Sequence, residues 1–466
     1  MIVVVALSNA GLFNQVGLAS RLGRNGNQVV ILFSGERGAL LPAFNRRLAS
    51  ADCDVVYLED LVATTVPSND PWHLPIAASK IDDVFSYDAL HSFTALRQAY
   101  GKQINALKEF CELHKPTMAI LGDDGIGTDP CVTSVLRNNG IRLLCVPYGY
   151  GGVEDLEHEL DYKQATASYN YITTEAEGGN VVAEHYPHWV KSGRHAEALL
   201  LPPQMILARE SLGVTLRHPW RTYGSEADLM CVPGQQYADH LILEGVPRDR
   251  IIVTGAPAGV QIHEVLQQDR DAERAFRQPA KLQPNQTRVL VSWPPSFHQT
   301  HGDRTEFPDS YASLTCAALQ PLINHPNVRL TVTLHPGTLT KDRTIFNDLG
   351  IPLSESSIFN LIPRHDIFVT MGSSTTRWAI ACGKPVLNYD FYKITLTAYR
   401  DAPGVLQIEK HQPYLDSLRR LIEDDAFFAA TAEQQISVAN DWGLINGLFF
   451  DELVTAPNQI KHRYNK

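Results

Sequence analysis

Between Asp366 and Asp390 the chain reads Asp-Ile-Phe-Val-Thr-Met-Gly-Ser-Ser-Thr-Thr376, then Arg377–Gly383, then Lys384-Pro-Val-Leu-Asn-Tyr-Asp390. An apolar run ends in one glycine and four hydroxyl residues, a short helical stretch follows, and a second apolar run closes the unit. This is the sequence form of strand, turn, helix and strand, and two such strands lie parallel through a right-handed crossover. The turn aims backbone N–H groups and hydroxyls at the positive end of a helix, an arrangement that suits a phosphate. Open parallel sheets bind such ligands at the carboxyl ends of their strands. Ser373 or Ser374 acting as a plain helix cap is the alternative, but four successive hydroxyl residues exceed what a cap needs.

The same alternation runs along the whole chain. Ile2–Leu7, a helix over Gly11–Asn25 and Gln28–Phe33 form one unit. Thr117–Gly122, a helix over Asp129–Asn139 and Ile141–Val146 form another. Further strands are expected at Leu229–Val232, Ile251–Thr254, Arg288–Ser292, Val328–Leu334, Ile367–Met371 and Pro385–Asn388. The expected fold class is α/β with two doubly wound, Rossmann-like domains facing a central cleft. A chain of 466 residues exceeds what one core supports. The charged stretch Gln267–Gln286, with Pro279 and Pro284, suggests a join. The expected division is 1–265, a linker at 266–287, 288–440, and a segment 441–466 that packs back on the first domain. Pro67–Ser92 and Gly178–Arg194 show no clear period.

A net charge of -11 argues against nucleic acid as a partner. The seven cysteines are scattered with no C-x-x-C pair, as expected of reduced thiols in the cytoplasm. The apolar start Met1–Leu7 is short, lacks a basic flank and reads as a strand. No run approaches the roughly 18 apolar residues of a membrane span.

Three short motifs fall at expected strand ends. Gly122-Asp123-Asp124-Gly125 sets two carboxylates side by side, so one pKa can rise to that of a general base; an ordinary turn and cap would use the same residues. His335-Pro336 follows the strand ending at Leu334. A histidine there can donate to a phosphate, and a strand terminator would look the same. It stands thirty-eight residues before the hydroxyl turn, about one strand–helix unit away. Gly372-Ser373-Ser374-Thr375 is the third. The Gly149–Gly152 loop allows close backbone approach to a ligand. The acidic run Glu154–Glu159 is a solvated helix start or a source of one further carboxylate. His298 and His301 have a metal-compatible spacing but no third ligand nearby, so a ligand-contacting or surface loop is expected and no metal. There is no G-x-G-x-x-G after the first strand, no G-x-x-x-x-G-K-[ST] and no G-x-S-x-G.

The order of Asp123-Asp124-Gly125, His335-Pro336 and Ser373-Ser374-Thr375 resembles bacterial sialyltransferases of the GT-B fold. Kdo transferases and CDP-glycerol transferases have similar His-Pro and Ser-Ser elements. The resemblance implies a glycosyltransferase moving a sugar acid, sialic-acid-like or Kdo-like, from a CMP donor to a bacterial surface glycan acceptor. It implies Asp123 as base, with Asp124 as substitute. His335, Pro336, Gly372, Ser373, Ser374 and Thr375 would hold the donor phosphate. No metal or other cofactor is expected. The protein is expected in the cytoplasm, with peripheral association at the inner membrane face left open because such acceptors can be lipid-linked. A rival resemblance is to UDP-N-acetylglucosamine 2-epimerases, through Ile120-Leu-Gly-Asp123 and the stretch from Leu243 to Gly255. Those enzymes carry glutamates in the turn where this chain has Arg377 and Trp378. A UDP-sugar-dependent transferase is the remaining alternative.

Overall fold

Long apolar runs that are buried on both faces set the architecture, because only parallel sheets covered by helices on either side bury strands in that way. The computed structural model describes residues 1–7, 11–39, 42–66, 72–125, 127–166, 172–351, 353–394 and 399–464. Ser8–Ala10 of the first loop, Pro67–Pro71 of the first aperiodic stretch, and Asn465–Lys466 of the basic C-terminal run lie outside them. The chain forms two compact units: Met1–Cys231 with Leu241–Ile252, and Val232–His240 with Val253–Lys466.

The first unit is built on a seven-stranded sheet. Its strands are β1 (Ile2–Ala6), β2 (Val29–Phe33), β3 (Asp54–Tyr57), β4 (Met118–Leu121), β5 (Arg142–Cys145), β6 (Leu229–Val232) and β7 (Ile251–Val253), in the order β3-β2-β1-β4-β5-β6-β7. β1 pairs in parallel with β2 on one side and with β4 on the other. The strand order therefore reverses between β1 and β4, and the crevice above that reversal is where open α/β sheets bind ligands. Asp123 lies two residues past the end of β4.

A separate small core supports this unit. Leu74, Phe85, Phe93, Trp189, Ile206 and Leu216 pack together. The stretches that lack a period in the sequence build much of it. They hold the short helix Gly179–His185, the start of the helix Tyr87–His114 and the 3-10 turns Ala78–Asp83, Pro187–Trp189 and Gly193–His195, pieces too short or too tight to carry a 3.6-residue signal. The indole N–H of Trp189 donates to buried Glu210 at 2.7 Å.

The second unit has a five-stranded sheet of β8 (Thr287–Trp293), β9 (Val328–Leu334), β10 (Ile367–Thr370), β11 (Val386–Tyr389) and β12 (Val405–Ile408), in the order β12-β11-β10-β8-β9. β10 pairs in parallel with β8 and β11, β11 with β12, and β8 with β9. Its core joins Val289, Trp293, Phe346, Val369, Leu387 and Tyr414. Here the order reverses between β8 and β10, and the hydroxyl turn follows β10 directly. The stretch 266–287, read from sequence as the join, lies wholly inside this unit. It holds the end of the helix Pro257–Gln268, the helix Arg270–Ala275 and an irregular run into β8. The C-terminal segment also groups with the second unit. Leu444 N–H donates to Pro233 O at 2.9 Å, and the helix Phe449–Tyr464 packs on Pro257–Gln268. Pro233 and all but the last three residues of that helix fall within 1–265, the span expected to be the first domain.

Asp366 ties the start of the second sheet together. It is 1% exposed, and its two carboxylate oxygens accept the N–H groups of Leu282 and Arg288, both at 2.7 Å. Asp366→Ala strands both amides and is expected to cost roughly 3 kcal/mol in chemical denaturation. An unchanged midpoint would contradict that role.

Candidate functional site

The two aspartates at the end of β4 have separate tasks. Asp124 is fully buried. Its Oδ1 accepts the Gly224 N–H at 2.8 Å, and its Oδ2 accepts those of Glu226 at 3.0 Å and Ala227 at 2.9 Å. Burial pushes its pKa up and the three amides pull it back, the net direction being up. Asp124 is thus an anchor for residues 224–227. Neighbouring Gly125 has backbone from that region against it: a Cβ there would lie 2.1 Å from Arg221 O.

Asp123 keeps some exposure. One oxygen accepts the Gly125 N–H at 3.0 Å. Desolvation raises its pKa from 3.8 to about 7, against that one amide and with help from the Asp124 charge. Tyr148, which sequence reasoning did not single out, stands in the same field; burial first, then Asp123, pushes its phenol up to about 12. The glycine loop is fixed beside it, since Gly149 N–H donates to Tyr223 Oη at 3.0 Å. In the acidic run Glu154, Asp155 and Glu157 all have partners. Asp155 accepts the Gly152 N–H at 3.0 Å, Glu157 pairs with Lys191 at 3.2 Å, and Glu154 lies 3.8 Å from His158.

In the second unit, parallel registers put two predicted elements at one level. Leu334 pairs with Trp293 and Thr370 with Ser292. His335 and Gly372 therefore leave the same sheet edge on strands either side of β8, about 10 Å apart across two strand spacings. One strand–helix unit apart in sequence, the two strands are not neighbours in the sheet: β8 lies between them. His335 Nδ1 accepts the Gly337 N–H at 3.0 Å, so the neutral ring carries its proton on Nε2. The residue is exposed as a whole, while partial desolvation of the ring holds its pKa below the ordinary value. Pro336 follows and is also exposed.

The hydroxyl turn is braced from below and capped within itself. Gly372 has φ +58°, a left-handed conformation that favours glycine. Its N–H donates to Asn388 Oδ1 at 2.8 Å, and Asn388 in turn donates to Gln407 at 2.6 Å. A polar asparagine inside a buried strand was the signal for this brace. Ser373 Oγ accepts the Thr375 N–H at 3.2 Å and shares a 2.7 Å bond with Thr375 Oγ1. That is capping. Among the described residues, however, the N–H groups of Ser373 and Ser374 and the Ser374 hydroxyl have no hydrogen-bond partner. Donors pointing one way from a tight turn form an anion-binding concavity. The helix that follows, Thr376–Ala381, has only six residues and no acidic residue in its first turn. Arg377 is buried, donates from Nε to Ser374 O at 3.2 Å and lies over the Tyr237 ring.

His298 is a structural tie. Nδ1 meets Tyr392 Oη at 2.7 Å and Nε2 meets Phe307 O at 2.9 Å, so both nitrogens are occupied. Among the described residues no group of three or more His, Cys, Asp or Glu could hold a metal ion, and no helix is long and apolar enough to cross a membrane. All seven cysteines are free.

No protein-family model matches the chain, and no curated protein matches it. Solved structures match over nearly the full length. The S. aureus MnaA–UDP co-structure aligns with 100% of this chain and 96% of its own, at TM-score 0.51 and 15% identity. UDP-GlcNAc 2-epimerase from Neisseria meningitidis bound to UDP-GlcNAc aligns with 98% of this chain and 100% of its own, at 0.52 and 14%. CalG4, the calicheamicin glycosyltransferase, aligns with 99% of this chain and 98% of its own, at 0.52 and 12%. The likeness is one of fold: the chain has the two Rossmann-like parallel-sheet domains of GT-B proteins.

The two aspartates should respond oppositely to substitution. Asp124→Ala strands three amides and should lower stability by about 3 kcal/mol or more. A raised carboxyl pKa stabilises the fold below the unfolded value of 3.8, and that contribution is lost as pH rises through about 7. Asp123→Asn should therefore match the parent protein at pH values under 3.8 and exceed it at pH 8. The gain is at most about 4 kcal/mol, at 1.36 kcal/mol per unit. Denaturation at the two pH values checks both.

Proposed function

We propose that the protein is a glycosyltransferase acting on a nucleotide-activated sugar, with a CMP-linked sugar acid as donor and a glycan hydroxyl as acceptor. The observation that carries the reading is the separation of Asp123 from Asp124. A partly exposed carboxyl with a pKa of about 7 is poised to take a proton near neutrality, where an ordinary aspartate is too weak a base. Asp123 would remove the acceptor hydroxyl proton as its oxygen bonds to the anomeric carbon. The bond from that carbon to the donor phosphate oxygen would break, and CMP would leave with the charge. His335 Nε2–H, the Ser373 and Ser374 amides and the Ser374 hydroxyl are all donors, which suits the charge growing on that phosphate. Pro336, Gly372 and Thr375 would shape the two loops. The reading includes no metal or other cofactor, and it leaves a lipid-linked acceptor open.

The cytidine donor rests on the motif resemblance. The fold likeness extends equally to UDP-GlcNAc 2-epimerases, so an epimerase is the second reading. That reaction needs two acid–base groups across one sugar carbon. The turn and first helical turn after β10 hold none, and Arg377 and Trp378 there are buried. This favours transfer.

A thermal-shift panel of CMP, CDP, UDP, GDP and ADP tests the donor class. A ligand at 100 times its dissociation constant adds about 2.7 kcal/mol to the folded state. CMP should stabilise selectively, and His335→Ala should remove the effect. Selective stabilisation by UDP would replace the cytidine donor and bring the epimerase forward, which turnover of UDP-N-acetylglucosamine alone would then decide. Once an acceptor is in hand, kcat/KM should climb with pH through about 7 and level off, and Asp123→Asn should lose at least about a hundredfold in rate.

A further inference from the structure

We propose that the Tyr148 hydroxyl is a second catalytic group on the acceptor side, donating to the same acceptor oxygen whose proton Asp123 removes. The inference rests on the transfer reading above and adds to it a group that orients the attacking oxygen. Backbone bonds bring the two residues together. Past the paired ends of β4 and β5, Val146 N–H donates to Leu121 O at 2.9 Å and Tyr148 N–H to Gly122 O at 3.4 Å. Tyr148 therefore stands beside the strand end that carries Asp123. From the other side, Tyr223 Oη holds the next amide, that of Gly149. The Asp123 carboxyl is fixed as well. Oδ1 accepts the Gly125 N–H, and Oδ2 lies so near Gly127 that a Cβ there would come within 2.3 Å of it. Yet both residues keep partial exposure, and neither Asp123 Oδ2 nor Tyr148 Oη is enclosed. Neither atom has a hydrogen-bond partner among the described residues.

The two open groups are of complementary type, and the Asp123 charge acts on the phenol. Burial first, then that charge, pushes the phenol up to about 12, so it keeps its proton near neutrality and acts as a donor. Asp123, once ionised, can only accept. A hydroxyl group offers one proton and two lone pairs. With its proton aimed at Asp123 and one lone pair filled by Tyr148, a single lone pair is left to meet the anomeric carbon. Orientation of that kind lowers the barrier without any new bond. In the step itself the acceptor O–H bond breaks toward Asp123, and the oxygen bonds to the anomeric carbon. The bond from that carbon to the donor phosphate oxygen breaks as CMP leaves, and Tyr148 keeps its own proton throughout. A ring present only for packing needs no hydroxyl in the field of an open carboxyl. The arrangement favours a hydroxyl acceptor over an amine, whose one lone pair cannot serve both Tyr148 and the anomeric carbon.

Carbon-detected NMR of the full chain, labelled in aspartate and tyrosine, tests this. The probes are the methyl glycosides of glucose, galactose and N-acetylglucosamine, with and without CMP. At least one glycoside should move the Asp123 carboxyl and Tyr148 ring resonances together, on one saturation curve. Tyr148→Phe should weaken that binding by about three- to tenfold, the range of one hydrogen bond between uncharged groups. The same variant should keep the ligand-free melting temperature and leave the Asp123 midpoint near 7, because the ring and the burial it provides remain. Unchanged glycoside affinity in Tyr148→Phe overturns the inference and leaves the transfer reading standing. So does a fall of the Asp123 midpoint toward 3.8, or a lower melting temperature, since the hydroxyl then serves the fold. If no glycoside moves either resonance, the end of β4 is not an acceptor site, and the inference falls together with the transfer reading.

Discussion

A carboxylate taken out of water must be solvated by the protein itself, and the first sheet edge is organised around that requirement. Asp124 consumes three backbone N–H groups. Those amides belong to one short segment, so meeting the demand also fixes residues 224–227. The segment carries Tyr223 ahead of it, and Tyr223 holds the glycine loop through Gly149. What remains for Asp123 is a single amide. The pair is chemically identical in sequence and unequal in place: one is spent on architecture, and the other is left under-solvated at the point where the strand order reverses.

The second unit shows the converse. Its candidate site is defined by donors without a partner among the described residues: two adjacent turn amides, one serine hydroxyl and the Nε2–H of a neutral histidine. A set made only of donors selects an anion. Each is held by a neighbour that is fully engaged: Asn388 braces Gly372, the Gly337 amide fixes the His335 tautomer, and Ser373 caps the turn with Thr375.

Much of the fold was legible because its inner strands are continuous apolar runs ended by glycine. The inner strands β6 and β10 fall at Leu229–Val232 and Ile367–Thr370, within the runs read as strands, and the half-buried edge strand β9 was legible at Val328–Leu334 through its alternation of apolar and polar residues. The edge strands β3 and β12 were missed. Asp54–Tyr57 and Val405–Ile408 are only half-buried, so they need no apolar run and leave none to see. The satellite core around Trp189 escaped because it is assembled from short helices and 3-10 turns far apart in the chain, each too brief to show a helical period. The join was read too late in the chain, since Pro and charge near 279–286 mark an irregular entry to β8 and not a change of unit. At the site, residue types and strand ends were readable. The division of labour between Asp123 and Asp124 was not, because it depends on amides a hundred residues away.

The most direct test of the account is a titration of Asp123 itself, by carbon-detected NMR of aspartate-labelled protein with Asp123→Asn to assign the resonance. The account predicts a midpoint near 7, set by desolvation beside an anchored Asp124. A midpoint at the ordinary aspartate value of 3.8 would contradict it, and would leave the end of β4 as a turn with no base.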